Sequence, residues 1–231
     1  MNKIKILSLE TSTTNCSVAV SVNGQTVALK EENSKNYSHA EQLHVFIDEV
    51  LKKTGIKVDD LDAIAVSKGP GSYTGLRIGV STAKGLCFAC TLPLISIPTL
   101  ESLAHQISSD KLTEDDLILP MLDARRMEVY TQTYNANLKA INTTEAKVLD
   151  ENSFDDLKAT YLHFIGNGVE KYKAVTQLNN ARFYTSGIPS ANEMGKIAYA
   201  KFQNKEFEDV AYFEPYYLKE FIAGKPKKRF Q

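Results

Sequence analysis

The segment that decides the fold is residues 67–90, which read SKGPGSYTGLRIGVSTAKGLCFAC. An apolar run at residues 61–66 precedes it and predicts a buried strand. The Gly-Pro-Gly turn at residues 69–71 ends that strand, because glycine adopts positive φ freely and proline lacks a backbone donor. The apolar pattern then becomes helical, with Ser72 or Thr74 as the candidate N-cap. The segment therefore predicts a strand, a glycine-rich turn and a helix.

A stripe of small residues runs along this predicted helix, at Gly75, Gly79 and Ala83. Glycine inside a helix costs about 1 kcal/mol relative to alanine, so repeated glycines on one face indicate a reason for them. Close approach of a neighbouring backbone is such a reason. Arg77 and Lys84 argue against a membrane span. The neighbour is therefore either another element of the same subunit or part of a partner protein.

Length and composition place the chain among soluble globular proteins. The chain has 231 residues, 43% hydrophobic and 24% charged, enough for one large or two small domains. A net charge of −1 gives no global attraction to nucleic acid or membrane. Three cysteines and no secretory signal indicate a reducing, cytoplasmic compartment. The dense basic cluster at the end is predicted to be a solvated tail rather than an RNA contact; it comprises Lys225, Lys227, Lys228 and Arg229.

Cysteines and histidines offer no clear metal or redox site. Cys87 and Cys90 form a C-x-x-C pair without further zinc ligands nearby. The pair lies late in an apolar helix, whereas redox thiolates favour a helix N-terminus, so core packing is predicted. No two histidines are spaced i, i+4 on one helix face. All four are predicted to be surface or interface side chains: His39, His44, His105 and His163.

The order of the predicted elements is that of an α/β protein with a meander first. Strands are predicted at residues 4–10, 16–22, 25–32, 61–66 and 94–97, and helices at 38–53, 75–90 and 99–107. Asn23-Gly24 is a two-residue hairpin signal, and Ser38 with Glu41 forms a capping box. The order predicts three antiparallel strands followed by alternating units that add parallel strands.

A polar, acidic stretch near residues 108–116 indicates a domain boundary. After it, residues 117–123 and 128–134 repeat the opening pattern, in which a strand ends in a carboxylate and a second strand follows. This repetition indicates either a domain duplication or a chance similarity of two hairpins. The predicted domains are residues 1–107 and 108–212, with residues 213–231 possibly returning to the first.

Motifs for nucleotide chemistry are incomplete. The glycine-rich turn misses the dinucleotide fingerprint, because Thr74 stands where the third glycine would be, and no Gly-Lys-Ser/Thr sequence exists. The turn of Glu10, Thr11 and Ser12 either receives a phosphate through backbone N–H groups and hydroxyls or is an ordinary strand end. A two-metal nuclease would need several converging carboxylates, and the predicted strands supply Glu10 alone.

Three segments together resemble the TsaB (YeaZ) family along essentially the whole chain. They are ILSLETS at residues 6–12, GPGSYTGLRIG at 69–79 and DARRMEVY at 123–130. The resemblance implies the ASKHA (actin/Hsp70/sugar-kinase) fold, built from two ribonuclease-H-like halves of which the second is reduced.

The resemblance also implies a function. TsaB proteins act as non-catalytic partners of TsaD, the transferase that makes threonylcarbamoyladenosine at position 37 of tRNAs reading ANN codons. The ATPase TsaE is a further partner, tRNA is reached indirectly through the complex, and a homodimer forms when the chain is alone. Thr99 and Leu103 stand where TsaD has its metal-binding histidines, so no metal, cofactor or catalysis is expected. The turn of Glu10, Thr11 and Ser12 would then be vestigial.

In the family, the two proteins meet through the first two helices of each, which here are residues 38–53 and 75–90. The expected contact residues are Leu43, Phe46, Gly75, Leu76, Gly79, Val80 and Ala83. A Gly79→Leu change is expected to abolish the contact but leave a folded monomer. The alternative function is an independent ASKHA-type kinase or ATPase, with Asp123 as its catalytic residue and residues 166–168 as a second phosphate loop.

Overall fold

The computed structural model describes residues 3–34 and 39–219. Its first part contains β1 (Lys5–Glu10), β2 (Asn15–Val22), β3 (Gln25–Asn33), α1 (His39–Thr54), β4 (Ala63–Gly69), α2 (Tyr73–Cys90) and β5 (Leu94–Pro98). The second contains α3 (Thr99–Ala104), β6 (Leu117–Asp123), β7 (Glu128–Thr131), β8 (Tyr134–Asn135), β9 (Glu145–Val148), β10 (Leu162–Ile165), α4 (Val169–Lys173), β11 (Ala181–Tyr184) and α5 (Ala191–Gln203). The Ser38 cap and the basic tail lie outside the described residues.

The first sheet has the strand order β3-β2-β1-β4-β5. The β1–β2 and β2–β3 pairs are antiparallel, whereas β1–β4 and β4–β5 are parallel. Asn23 and Gly24 join β2 to β3 with φ of 49° and 81°, the two positive values that a type I′ hairpin turn requires. The predicted meander, hairpin and parallel strands are confirmed.

The second sheet repeats this order as β9-β7-β6-β10-β11, with β8 also paired to β6. The first two pairs are again antiparallel and the last two parallel. Its strands after β6 are two to four residues long, against five to nine in the first sheet. Two ribonuclease-H-like halves with a reduced second half are therefore confirmed, and chance similarity of two hairpins does not account for five matching strands.

Helices α1 and α2 cover one face of the first sheet, because each buries an apolar stripe against alternate strand residues. The buried side chains include Leu43, Phe46, Ile47 and Val50 of α1, Val80, Ala83 and Cys87 of α2, and Leu7, Leu9, Val18 and Val66 of the strands. Gly79 lies on this buried side of α2, together with Gly75 and Leu76.

Two helices pack across the predicted domain boundaries. Helix α5 lies within the predicted range 108–212, yet Met194 and Ile197 pack on the outer face of the first sheet with Ile6 and Ile95. Helix α3 lies within the predicted range 1–107, yet Leu100 and Leu103 pack with Ile118 and Ile165 of the second half. Each of these two helices therefore buries its apolar face on the sheet of the other half.

The chain returns over the first half after α5, in a segment that we call the strap, residues 208–219. Its Glu208 N–H donates to Leu94 O at 2.8 Å, and Lys84 Nζ donates to the carbonyl oxygens of Ala211 and Phe213. Further along, Tyr216 N–H donates to Lys68 O at 2.7 Å, and Lys219 pairs with Glu128 in the second half. The strap therefore runs from the edge of β5, across α2, to the start of β7. None of the described helices is long and apolar enough to cross a bilayer.

Candidate functional site

Gly71, Gly75 and Gly79 face the β1–β2 turn of the same chain. A Cβ added to Gly71 would lie less than 3.0 Å from Ser12 O, and one on Gly75 less than 3.0 Å from Thr11 O. A Cβ on Gly79 would come equally close to Thr11 Oγ1. The neighbour that the small stripe accommodates is therefore this turn, within the subunit, rather than a partner.

Hydrogen bonds join the two turns. The Thr11 hydroxyl donates to Gly75 O at 2.8 Å, and Ser72 N–H donates to Ser12 O at 2.6 Å. Ser72 is also the N-cap of α2, since its Oγ accepts from Gly75 N–H at 3.3 Å. The start of α2 is thus fixed to the end of β1 by both packing and polar contacts.

Glu10, Thr11 and Ser12, the expected vestigial phosphate turn, are buried. Ser12 N–H donates to Glu10 Oε1 at 2.7 Å, so that backbone donor and the Thr11 hydroxyl are both used within the protein. Burial raises the pKa of Glu10, and the Ser12 N–H offsets this only in part. Glu10 Oε2 has no hydrogen-bond partner among the described residues. The Ser12 hydroxyl has no partner among the described residues, but the turn is buried and its Thr11 and Ser12 N–H groups are engaged, so it has little to offer an incoming phosphate.

The matching turn of the second half is also held by the protein. Asp123, the candidate catalytic residue, accepts from Arg125 N–H at 2.6 Å and from Lys171 Nζ at 2.8 Å. Asn167 Oδ1 accepts from Asp123 N–H at 2.9 Å, and Gly168 N–H donates to Met121 O at 3.0 Å. The 166–168 turn thus hydrogen-bonds to the end of β6, and these groups are not free to bind a phosphate.

Thr99 and Leu103, the positions where the resemblance implies metal-binding histidines in the transferase, lie at the two ends of α3 and are fully buried. Leu103 packs against Ile165 of the second half and close to Gly166. Thr99 Oγ1 has no partner among the described residues. No group of three or more His, Cys, Asp or Glu suited to a metal ion occurs in residues 3–34 and 39–219. A hydroxyl and a methyl-bearing chain at these positions do not fit a transition-metal site.

Two histidines are buried, which corrects the expectation that all four lie at the surface. His163 Nε2 lies 3.1 Å from Asp116 Oδ2, and His163 Nδ1 lies 3.1 Å from the Tyr184 hydroxyl. His39 is 1% exposed and its Nε2 lies 2.7 Å from Thr13 O. Sequence reasoning missed the first pair because 47 residues separate its members. The pair joins the start of β6 to β10 and β11.

The C-x-x-C pair belongs to the α2 packing. Cys87 is buried in the core of the first half, where burial raises the pKa of its thiol to about 12. Cys90 is half-buried, and both are free thiols. Core packing is confirmed for Cys87.

The expected partner-contact residues need correction. All seven are buried within the chain itself: Leu43, Phe46, Gly75, Leu76, Gly79, Val80 and Ala83. Their side chains are at most 4% exposed, because they form the layer between the two helices and the first sheet. Helical periodicity identified the apolar face of each helix correctly. It could not show whether that face packs on the chain's own sheet or on a partner.

The opposite sides of α1 and α2 form what we call the outer helix face. Val45 on α1 is 51% exposed, and Phe88 on α2 is 85% exposed. Nothing lies within 4 Å of a Cβ added to Gly85, one turn before Phe88. The outer helix face comprises His44, Val45, Asp48, Ser81, Gly85 and Phe88.

The strap braces the flank of α2 beside this face. Tyr217 stacks on Tyr73 with ring centroids 4.8 Å apart, and its hydroxyl accepts from Arg77 Nε at 3.3 Å. Arg77 also lies over the Tyr73 ring. Because Lys84 binds the strap one turn before Phe88, α2 is supported along its length while Phe88 stays outside.

In sequence, this chain resembles proteins of tRNA threonylcarbamoyladenosine synthesis. A family model described as TsaD, tRNA N6-adenosine threonylcarbamoyltransferase, matches residues 31–228. The tRNA threonylcarbamoyladenosine biosynthesis protein TsaB of Haemophilus influenzae is 28% identical, over 97% of this chain and 98% of that protein. The tRNA N6-adenosine threonylcarbamoyltransferase of Bacillus subtilis is 34% identical, over 51% of this chain and 37% of that enzyme.

Solved structures agree with the fold. YeaZ from Pseudomonas aeruginosa superposes with a TM-score of 0.82 at 26% identity, covering 93% of this chain and all of that one. The match to the family model spans most of the chain, and the TsaB similarity runs nearly end to end. The chain therefore belongs to the TsaD family of tRNA N6-adenosine threonylcarbamoyltransferases, and within that family to the TsaB (YeaZ) proteins.

Proposed function

We propose that this chain is a non-catalytic subunit of tRNA threonylcarbamoyladenosine synthesis, which binds a TsaD-type transferase through the outer helix face. The reaction it supports is threonylcarbamoyl transfer to adenosine 37 of tRNAs that read ANN codons. The observation that carries the proposal is Phe88, an aromatic side chain that is 85% exposed on a helix whose Leu76 and Val80 are buried. The pathway is inferred from the relatives, which are tRNA threonylcarbamoyladenosine biosynthesis proteins.

Phe88 and Val45 give the outer helix face an energetic reason to bind a partner. Full burial of a Phe or Val side chain is worth about 1.5–3 kcal/mol relative to leaving it exposed. Ser81 and Gly85 are exposed on α2 and present little bulk, so a partner helix can approach α2 closely. A pair of partner helices laid across α1 and α2 would complete a four-helix arrangement. We propose that the protein which binds this face is the transferase homologue of this chain.

Catalysis is assigned to the partner because this chain's comparable groups are engaged elsewhere. Glu10 accepts from Ser12 N–H in its own turn, Thr11 donates to Gly75 O at the start of α2, and Asp123 accepts from Arg125 N–H in the second-half turn. Thr99 and Leu103 replace the metal-binding histidines that the family resemblance implies for the transferase. The supported role is to hold the transferase in its active arrangement.

Further partners follow from the same surface. A homodimer forms through the outer helix face when the transferase is absent, since a two-fold interface reuses one patch. A TsaE-type ATPase binds the assembled pair. Because the pathway modifies tRNA, the proposed working location is the cytoplasm.

The proposal is tested by co-purification with the transferase. Phe88→Asp and Val45→Asp are each expected to abolish it while the circular dichroism spectrum and monomer fold are retained. Val148→Asp is the matched control, since Val148 is 70% exposed on β9, at the edge of the second sheet. Undiminished binding by the Phe88 and Val45 variants, or equal loss by the control, would contradict the assignment.

The alternative function, an independent ASKHA-type kinase or ATPase, makes an opposite prediction. The isolated chain would then bind ATP with magnesium tightly and turn it over. Isothermal calorimetry with a phosphate-release assay decides between the two, and we expect neither tight binding nor turnover.

A further inference from the structure

The strap lies on the same side of the first sheet as α1 and α2. Helix α1 packs on β2 and β3, and α2 packs on β4. The strap follows at the β5 edge of the sheet, where Glu208 N–H donates to Leu94 O. Its Val210 and Phe213 pack against the same apolar core as the two helices. The elements α1, α2 and the strap therefore form a row, and the outer helix face has the strap as its neighbour beyond α2.

The strap contains a fixed turn around Tyr212. Asp209 closes the turn, because its Oδ1 accepts from Ala211 N–H and its backbone carbonyl accepts from Phe213 N–H, both at 2.8 Å. Lys84 of α2 then donates from Nζ to Ala211 O at 3.1 Å and to Phe213 O at 3.0 Å. These bonds lie on both sides of Tyr212, so the backbone of Tyr212 is tied to α2.

The side chain of Tyr212 nevertheless stays in solvent. It is 83% exposed, nearly as much as Phe88 at 85%. Phe88 follows Lys84 by four residues on α2, which is about one turn of the helix and roughly 6 Å along its axis. Two exposed aromatic residues, one on the strap and one on α2, therefore border the same lysine, and the backbone of each is fixed.

An exposed tyrosine on a fixed turn has the properties of an interface anchor. Tyrosine is enriched among the residues whose truncation weakens protein–protein binding most, and its ring loses little conformational entropy on binding. A backbone that is already ordered lowers the entropic cost of association further. The ring also carries a hydroxyl that can donate to a partner while the rest of it packs on apolar surface.

We propose that the outer helix face continues onto the strap, and that Tyr212 is a second aromatic anchor for the transferase beside Phe88. The identity of the partner rests on the proposed function, which by itself uses α1 and α2 alone. The argument for this partner is continuity, since Val45, Phe88 and Tyr212 lie on three adjacent elements of one face. Lys84 is a positioning residue, because it acts by holding the turn that carries Tyr212.

The experiment measures the dissociation constant of the full chain for an immobilised TsaD-type transferase. Tyr212→Ser should raise it by about 10–30-fold, the effect of truncating a central interface tyrosine. Tyr216→Ser is the matched control, since Tyr216 is 43% exposed on the same strap but binds Lys68 O at the other end of α2. The control should leave the dissociation constant within about twofold of the parent.

A double-mutant cycle tests the role of Lys84. Lys84→Met removes both hydrogen bonds to the turn and should raise the dissociation constant by about 3–10-fold, with faster amide hydrogen exchange at Phe213. In the Tyr212→Ser background the same change should have no further effect on binding, because Lys84 acts through Tyr212. An equal effect in both backgrounds would show that Lys84 contacts the partner or supports α2 as a whole, and would overturn its positioning role.

Transferase binding by Tyr212→Ser at the parent's affinity, with binding abolished in Phe88→Asp, would overturn the inference and leave the proposed function standing. Equal losses in Tyr212→Ser and Tyr216→Ser would overturn it as well. Weaker self-association of Tyr212→Ser with unchanged transferase affinity would assign Tyr212 to a contact with a second copy of this chain instead. Normal binding by Phe88→Asp would overturn both proposals.

Discussion

Gly79 lies against the Thr11 hydroxyl so closely that a Cβ on Gly79 would come within 3.0 Å of Thr11 Oγ1. That hydroxyl is itself fixed, since it donates to Gly75 O, one turn earlier on α2. Because Gly79 has no side chain, Thr11 at the end of β1 packs directly against the backbone of α2. The helix that carries Phe88 is positioned by this contact on its inner side.

A Gly79→Ala change should destabilise the fold. The added methyl must displace Thr11, and overpacking of this kind costs about 1–3 kcal/mol in the free energy of unfolding. Denaturant unfolding measures it. The earlier expectation that Gly79→Leu leaves a folded monomer is replaced by stronger destabilisation, because Gly79 is buried.

Gly85→Ala is the control for Gly79, on the same helix and with the same added atom. Nothing lies within 4 Å of its Cβ, so alanine should stabilise α2 by up to about 1 kcal/mol. Equal effects of the two changes would contradict the account of the inner and outer sides of α2.

Much of the first half could be predicted from sequence because its signals are local. The Asn23-Gly24 turn and the Ser72 cap depend on adjacent residues, and both form as predicted. The inner and outer sides of α2 could not be told apart, since Val80 and Phe88 are both apolar and only tertiary packing buries one of them. Helix α5 packs on the first sheet and α3 packs on the second half, and neither helix's own sequence predicts this.

Glu10→Gln should change how stability depends on pH. Burial raises the pKa of Glu10 in the folded protein above its unfolded value of about 4.3. The parent therefore loses free energy of unfolding as pH rises from the unfolded pKa through the folded one. Glutamine keeps the acceptor for Ser12 N–H but cannot ionise.

The Gln variant should thus match the parent near pH 4, roughly the unfolded pKa, and exceed it in stability at neutral pH, as measured by urea unfolding under both conditions. A variant less stable than the parent at neutral pH would show that the Glu10 carboxylate contributes favourably, against this account.

Asp116→Asn should destabilise the second half at neutral pH. Burial alone would raise the pKa of Asp116, but hydrogen bonds from Thr113, His163 and Tyr161 N–H more than offset it and lower the pKa overall. A carboxylate of this kind contributes stability above its unfolded pKa of about 3.9, which is lost as pH falls through the folded value.

Breaking the Asp116 interactions should cost about 3–5 kcal/mol at pH 7 and much less in strong acid, as measured by thermal or urea unfolding. Asp115→Asn, an exposed neighbour, should change stability little at either pH. A similar loss in both variants would contradict a specific role for the buried pair.

Lys171→Met should loosen the arginine-bearing turn. Lys171 Nζ is within 2.9 Å of three acceptors, and its removal leaves two carbonyl oxygens and Asp123 without this donor. We expect faster amide hydrogen exchange over residues 124–128, at a cost of about 1–3 kcal/mol. Lys173→Met, exposed in the same helix, should leave exchange unchanged. Unchanged exchange over residues 124–128 in the Lys171 variant would contradict this role of Lys171.

The site was less predictable than the fold, because it depends on which groups remain free after folding. The sequence shows Glu10 and Asp123 as carboxylates at strand ends, a position typical of catalytic residues. Only the structure shows that one is buried and the other binds Lys171.

The central claim is that this chain supports the transferase through the outer helix face and does no chemistry itself. The most direct measurement is the threonylcarbamoyladenosine formed on an ANN-reading tRNA by TsaD and TsaE proteins, with ATP and the threonylcarbamoyl donor supplied. We predict modified tRNA when the unaltered chain or Val148→Asp is added, and little or none without the chain or with Phe88→Asp. Equal product with and without the chain, or full activity with Phe88→Asp, would contradict the account.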